Sequence, residues 1–278
     1  MTGMKTLYVS DLDGTLFNKK KKISPYSADV INQCIKKGMD FTIATARMPY
    51  GCDYRLKDIQ MKTPGILTNG VFIYEFSKQE FCFTETIETA AAKTGVQVIR
   101  DAGLSCFVYL FKAGTISIYY NDKSLEEQTQ YYSDRALAAC GEVCLTDDLD
   151  GIWSKGEPVY LALTGTEEKL KPVCEKLDRV SGISYVCYLN IYNGLYCLEL
   201  FSEHASKQNA LKRLKEDGGY DELVVFGDNL NDLSMIEIAD RSYAPFNALE
   251  VVKERVTGVL DDCSRDGVAK FLAKEWNL

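Results

Sequence analysis

The chain has 278 residues, 46% of them hydrophobic and 26% charged, with a formal net charge of −8. That length suggests two domains, or one with a large insertion, and the composition excludes collagen-like and disordered chains. The longest purely apolar run, CFVYLF at 106–111, is far too short to span a membrane; the N-terminus lacks a signal peptide's apolar stretch; no basic face marks a nucleic-acid binder. The expectation is a cytoplasmic protein with no membrane and no nucleic-acid partner, a monomer or weak homodimer.

The first segment reads as strand, helix, strand, helix, strand. Residues 6–10 (TLYVS) form an apolar strand running into DLDGT. A helix follows, with Ser24 as N-cap, Pro25 at its first position, Gly38 past its end and an apolar face of Val30, Ile31, Cys34 and Ile35. The run KKKK at 19–22 reads as a solvated turn. Strand 39–44 comes next, then a short helix that Pro49 can open, then a third strand at 66–68 before the Asn69-Gly70 turn signal. This alternation predicts a parallel sheet covered by helices.

The middle segment, 82–199, has a different style. Strand-like FVYLF and ISIYY precede a helical stretch at 124–140, strand-like PVYLALTG, a helix at 167–180, and strands SYVCYLN and YCLELF. Tyr192 and Asn193 fall in the turn between the last two. From residue 200 the first style returns: helix 207–217, strand 223–226, a helix around 231–239, strand 241–244, a helix near 247–255 and a last helix from about Asp266. The predicted domains are therefore 1–81 with 200–278, and 82–199 inserted between them. Residues 84–199 hold 17 acidic and 10 basic side chains, so the insert carries −7 of the total charge of −8. The 10 cysteines include no CxxC pair; Cys140 and Cys144 are the closest two, and the single histidine, His204, is distant, so no zinc site is expected.

Asp11 and Asp13 stand just past the first strand. They can close an Asx turn, or form a carboxylate pair at the sheet edge where open α/β folds bind ligands; the second reading is preferred. Thr45 ends the second strand, beside Asp11 at the same edge, as a hydroxyl donor to an anion. Arg47 can offer a bidentate fork to a substrate oxygen. Lys207 opens a helix after Ser206, where the helix dipole disfavours a cation unless carboxylates face it. Asp228, Asn231 and Asp232 lie in GDNLND. Helix capping explains some of these groups, but aspartates converging at one edge would repel each other without a cation, and carboxylates with water suit Mg²⁺.

The strings DLDGTL at 11–16, IATAR at 43–47, TNG at 68–70, SK at 206–207, GDNLND at 227–232 and DGVA at 266–269 resemble the haloacid dehalogenase-like phosphohydrolases, in the Cof-type branch with an α/β (type IIB) cap. The resemblance covers essentially the whole chain, and in the cap it extends to architecture only. It implies an α/β fold: a Rossmann-like parallel-sheet core with an inserted α+β cap domain that confers substrate specificity. By position, Asp11 resembles the nucleophile that forms an aspartyl-phosphate, and Asp13 the general acid and then base. Thr45 and Lys207 resemble the groups that orient and neutralise the phosphoryl group. The resemblance implies Mg²⁺ on Asp11, the Asp13 carbonyl and Asp228, with Asp232 behind them. Ala46, Arg47, Asn69, Gly70 and Asn231 complete the implied substrate site. Ala46 and Gln208 stand where the family often has glycine; both keep a backbone N–H, but alanine at a positive φ would cost of order 1 kcal/mol.

The expected function is Mg²⁺-dependent hydrolysis of a small phosphorylated metabolite, a sugar phosphate or a phosphorylated cofactor. A phosphomutase, and a non-catalytic phosphate sensor on the same scaffold, are the alternatives.

Overall fold

The computed structural model describes residues 4–125, 141–189 and 194–278. Most of the helix expected over 124–140, together with Cys140, Tyr192 and Asn193, lies outside the described residues. The chain divides into two compact units, one of residues 1–83 and 206–278, the other of residues 84–205. Among the described residues no helix is long and apolar enough to cross a membrane.

The first unit begins with β1 (Thr6–Ser10), α1 (Pro25–Lys36), β2 (Asp40–Ile43) and the single turn α2 (Pro49–Cys52). Ser24 caps α1, its Oγ accepting from the Ser27 N–H at 3.0 Å, and Val30, Ile31, Cys34 and Ile35 are buried, as the apolar spacing requires. The strand β3 (Gly65–Leu67) does not continue the parallel sheet as a full member. It pairs antiparallel with β4 (Phe72–Glu75), and β5 (Glu80–Thr84) completes that small sheet. One parallel bridge, Ala44 to Ile66, joins it to the end of β2.

The second unit contains α3 (Thr89–Asp101), β6 (Phe107–Lys112), β7 (Thr115–Tyr120), β8 (Val143–Leu145), β9 (Glu157–Gly165), α4 (Glu167–Leu177), β10 (Ile183–Leu189) and β11 (Tyr196–Ser202). Its six strands run in the order β10-β11-β9-β6-β7-β8 and are antiparallel except for the β7–β8 pair. Ala92, Val96 and Ile99 of α3 and Leu170, Val173 and Leu177 of α4 bury one face of this sheet with Val108, Leu161, Leu198 and Leu200.

The chain then returns to the first unit through α5 (Lys207–Gly218), β12 (Glu222–Phe226), α6 (Leu233–Ile236), β13 (Arg241–Pro245), α7 (Glu250–Lys253), β14 (Gly258–Leu260) and α8 (Gly267–Glu275). The helices expected over 231–239 and 247–255 shrink to single turns. The core sheet, β14-β13-β12-β1-β2, is parallel throughout. Leu7, Val9, Leu223 and Val225 face Leu211 and Leu214 of α5, while Tyr8 turns to the opposite face, its ring 6.2 Å from that of Trp276. This is the two-sided burial of a parallel sheet. The α/β core with an inserted sheet-and-helix domain is the expected fold class.

The register fixes the functional edge. Ser10 lies opposite both Phe226 and Ile43. The next residues continue the ladder, Asp11 N–H bonding Phe226 O and Ala44 N–H bonding Ser10 O, each at 2.9 Å. The loops carrying Asp11, Thr45 and Asp228 therefore leave three adjacent strands at their carboxyl ends, where open α/β sheets bind ligands.

Candidate active site

Lys207 organises the edge. It is the first residue of α5, capped by Ser206, whose Oγ accepts from the Asn209 N–H at 3.0 Å. Its ammonium is 1% exposed and donates to Asp11 Oδ1 and Asp232 Oδ1, both at 2.6 Å. Burial works against the charge of Lys207, but Asp11 and Asp232 outweigh it and hold its pKa above the ordinary lysine value. This answers the question raised by a cation in the first helical turn.

Asp232 is saturated. Its Oδ1 receives Lys207, and its Oδ2 accepts the backbone N–H groups of Asp228 at 2.9 Å and Asn229 at 3.0 Å. It therefore braces the GDNLND turn and aims Asp228. The Asp228 Oδ1 accepts from the Thr15 hydroxyl at 2.7 Å. A Cβ at Gly14, whose φ is +86°, would collide with the Asp228 carboxylate, so glycine is what lets the two loops meet.

Asp11, Asp228 and Asp232 each offer a carboxylate oxygen, all within 4.8 Å of one another. Burial pushes the Asp11 carboxyl well above the usual carboxylate range; Lys207 opposes that shift, while Asp232 and Asp228 reinforce it. Burial likewise lifts Asp228 to about 6, against its Thr15 hydrogen bond. One ammonium thus faces three carboxylates. Hard oxygen donors short of positive charge could hold a divalent cation, and since Asp232 is committed to bracing, Asp11 and Asp228 are the carboxylates with oxygens to offer one.

Asp13 stands apart from this cluster. Arg47 grips it side-on, Nε to Oδ2 at 2.6 Å and Nη2 to Oδ1 at 2.7 Å. The guanidinium fork expected to meet a substrate oxygen is occupied here by Asp13, because a carboxylate matches its geometry equally well. Thr45 is 1% exposed, and its Oγ1 accepts from the Arg47 N–H at 3.2 Å. Ala46 is exposed and is not among the residues with positive φ, so the feared left-handed strain is absent there.

That strain lies instead in TNG. Thr68, Asn69 and Gly70 have φ of 51°, 53° and 102°. Such a run, with a β-branched residue in it, needs outside support. The Thr68 and Asn69 N–H groups bond the carbonyls of Arg47 and Thr45, each at 3.0 Å, and a Cβ at Gly70 would strike the Ser206 backbone. The turn thus ties the Thr45 loop to the base of the helix that carries Lys207. Asn231, exposed, donates to Asn69 Oδ1 at 3.2 Å and links GDNLND to the same turn.

Two contributors were not singled out from sequence. Thr15 had a signal, since it sits inside the DLDGT string. Asn247 had none: its amide donates to Gly14 O at 2.7 Å and accepts from Cys263 N–H at 2.9 Å, clamping the loop after β1 from the far side of the chain.

The family model for haloacid dehalogenase-like hydrolases matches residues 8–272, nearly the whole chain. The chain belongs to the haloacid dehalogenase-like hydrolases. This hydrolase is 26% identical to 5-amino-6-(5-phospho-D-ribitylamino)uracil phosphatase YwtE of Bacillus subtilis, over 94% of this chain and 95% of that one. It is 23% identical to pyridoxal phosphate phosphatase YbhA of Escherichia coli, over 94% and 95%. Among solved structures, the subclass IIB sugar phosphatase BT4131 superposes with a TM-score of 0.72 at 20% identity, covering 98% of this chain and 99% of that one. That last likeness is one of fold, and it includes the inserted domain.

Proposed function

We propose that this hydrolase is a Mg²⁺-dependent phosphatase of small phosphomonoesters, acting through a phosphoryl group carried on Asp11. The observation that carries the reading is the buried Lys207 bridging Asp11 and Asp232 beside Asp228, a charge arrangement built for an anion and a cation at once. Mg²⁺ bound by Asp11, Asp228 and the Asp13 carbonyl would supply the missing positive charge, keeping Asp11 ionised and polarising the phosphoryl oxygens.

In the proposed sequence, the Asp11 oxygen not held by Lys207 attacks phosphorus in line with the leaving oxygen. Asp13 gives that oxygen its proton, and the alcohol departs. Asp13, now ionised, takes a proton from water, which attacks the same phosphorus and returns Asp11 as a carboxylate. Thr45 and the Ala46 backbone N–H orient the phosphoryl group, and Lys207 holds the charge on Asp11 and on the transferring oxygens. Asp13 must exchange the Arg47 fork for the leaving oxygen during this cycle. The relatives' names favour a sugar phosphate or a phosphorylated cofactor as substrate, and the inserted domain is the proposed source of specificity.

The test is a panel of phosphomonoesters given to purified protein with Mg²⁺ and with EDTA. Steady phosphate release that EDTA stops and Mg²⁺ restores supports the reading. Turnover only with a bisphosphate activator would replace it with a mutase, and binding without turnover would replace it with a sensor.

A further inference from the structure

The segment FNAL at 246–249, between β13 and α7, touches both loops that carry the clustered aspartates. The Leu249 N–H donates to Asp228 O at 3.0 Å, which fixes the segment to the GDNLND turn, and the Ala248 N–H closes its own turn on Pro245 O at 2.9 Å. From that base the Asn247 amide donates to Gly14 O at 2.7 Å, inside DLDGT. The Thr15 hydroxyl, on the next residue, returns to Asp228 Oδ1 at 2.7 Å. Asp228, Leu249, Asn247, Gly14 and Thr15 thus close a ring of hydrogen bonds and short backbone links. The same side chain is anchored behind: Asn247 Oδ1 accepts from the N–H of Cys263, a buried residue, at 2.9 Å. One planar amide uses its donor on the catalytic loop and its acceptor on a fixed turn. Gly14, with φ of +86° and no side chain, offers only its peptide as a handle.

We propose that Asn247 is a positioning residue for phosphoryl transfer, an inference that rests on the phosphatase reading above. Asn247 touches no reacting group. It holds the Gly14 peptide, next to Asp13, at a set distance from Asp228. Mg²⁺ demands near-octahedral geometry and tolerates little drift among its oxygens. Asp11 and the Asp13 carbonyl stand on one loop and Asp228 on the other, so the spacing of the two loops is the spacing of the oxygens. Without the grip on Gly14, the first loop moves relative to Asp228, and Asp13 moves with it, away from the leaving oxygen. Thr45 and Lys207 follow β2 and open α5, which Asn247 does not hold, so substrate binding persists while transfer slows. Asn247 is exposed and Gly14 half-buried, so water takes up the vacated bonds and the fold is kept.

The experiment compares the full-length native protein with Asn247→Ala and Asn247→Asp. Alanine removes both bonds; aspartate keeps the acceptor for the Cys263 N–H and loses only the donor to Gly14. Hydrolysis of p-nitrophenyl phosphate gives kcat and KM, and thermal unfolding titrated with Mg²⁺ alone reads the metal site without turnover. In both variants kcat should fall at least about 10-fold, KM hold within about threefold, and Tm without Mg²⁺ stay within about 2 °C of native. The Mg²⁺ concentration giving half of the stabilisation should rise at least about threefold. An added carboxylate would by charge alone tighten Mg²⁺, so a weaker response in Asn247→Asp marks lost geometry. An aspartate variant that matches native protein while alanine is impaired would place the role at Cys263 and overturn the proposal. So would a rise in KM at unchanged kcat, or a Tm lower by more than about 5 °C in both variants, the mark of a folding residue. If native protein hydrolyses nothing, the phosphatase reading falls, and the Mg²⁺ titration of the variants decides the role of Asn247.

Discussion

Replacing Lys207 by methionine removes the one ammonium among three carboxylates while keeping most of the side chain's length. In the native protein that ammonium makes two bonds of 2.6 Å with only 1% of the residue exposed. Breaking a buried pair by deleting one partner costs about 3–5 kcal/mol, because the other charge stays buried and uncompensated. For a protein of this size that is a fall in Tm of roughly 6–20 °C. The loss should depend on pH. Lys207 has a raised pKa, so its contribution in the native protein is fully present below the unfolded lysine value and constant through pH 5–8. In the variant, burial and the neighbouring carboxylates act on Asp11 without the opposing ammonium, leaving its folded pKa further above the unfolded value of about 3.9. A folded state that holds the proton more tightly loses stability as pH rises. The deficit of the variant should therefore be full at pH 7.5 and shrink toward pH 4.5. Urea unfolding followed at Trp276, in a Trp153→Phe background, reads the first unit alone. A variant within about 0.5 kcal/mol of the parent at pH 7.5, the scale of an ordinary surface change, would refute the charge argument.

Three further outcomes follow from the same geometry. Asp11→Asn should leave the fold intact and abolish turnover, since an amide keeps the shape but not the nucleophile; thermal unfolding and phosphate release measured on one preparation check this. Gly14→Ala should lower kcat/KM by about 100-fold, because its Cβ displaces the Asp228 carboxylate; activity within threefold of the parent would contradict the packing. The net charge of −7 in residues 84–199 should favour monophosphates of neutral alcohols over bisphosphates, by a margin that narrows with added salt; a preference for bisphosphates at low salt would count against it.

The site was legible in the sequence where its groups are neighbours at strand ends. DLDGT and GDNLND announce themselves because a parallel sheet delivers consecutive carboxylates to one edge, and α1 and α5 were readable from Ser24 and Ser206 as caps. What was not legible depends on partners far along the chain. Thr15 meets Asp228 across 213 residues and Asn247 meets Gly14 across 233, and no local pattern encodes either contact. The Arg47–Asp13 pair was missed for a different reason: each was assigned to the ligand, and a fork suited to phosphate also suits a carboxylate. The helix α3 went unrecognised because its N-cap, Glu88, makes no side-chain capping bond and its buried face leans on small Ala91, Ala92 and Gly95. The β4–β5 connection hid because Gln79, not glycine, adopts its positive φ of 57°.

The central claim is that Asp11 carries the phosphoryl group. It is tested most directly in an Asp13→Asn variant, which lacks the base for the second step, mixed with Mg²⁺ and p-nitrophenyl phosphate, whose good leaving group needs no acid. After rapid quench and digestion, the peptide containing Asp11 should carry one phosphoryl group that hydroxylamine removes. Release of p-nitrophenol over many turnovers with no label on that peptide, or a label on any other residue, would contradict the account.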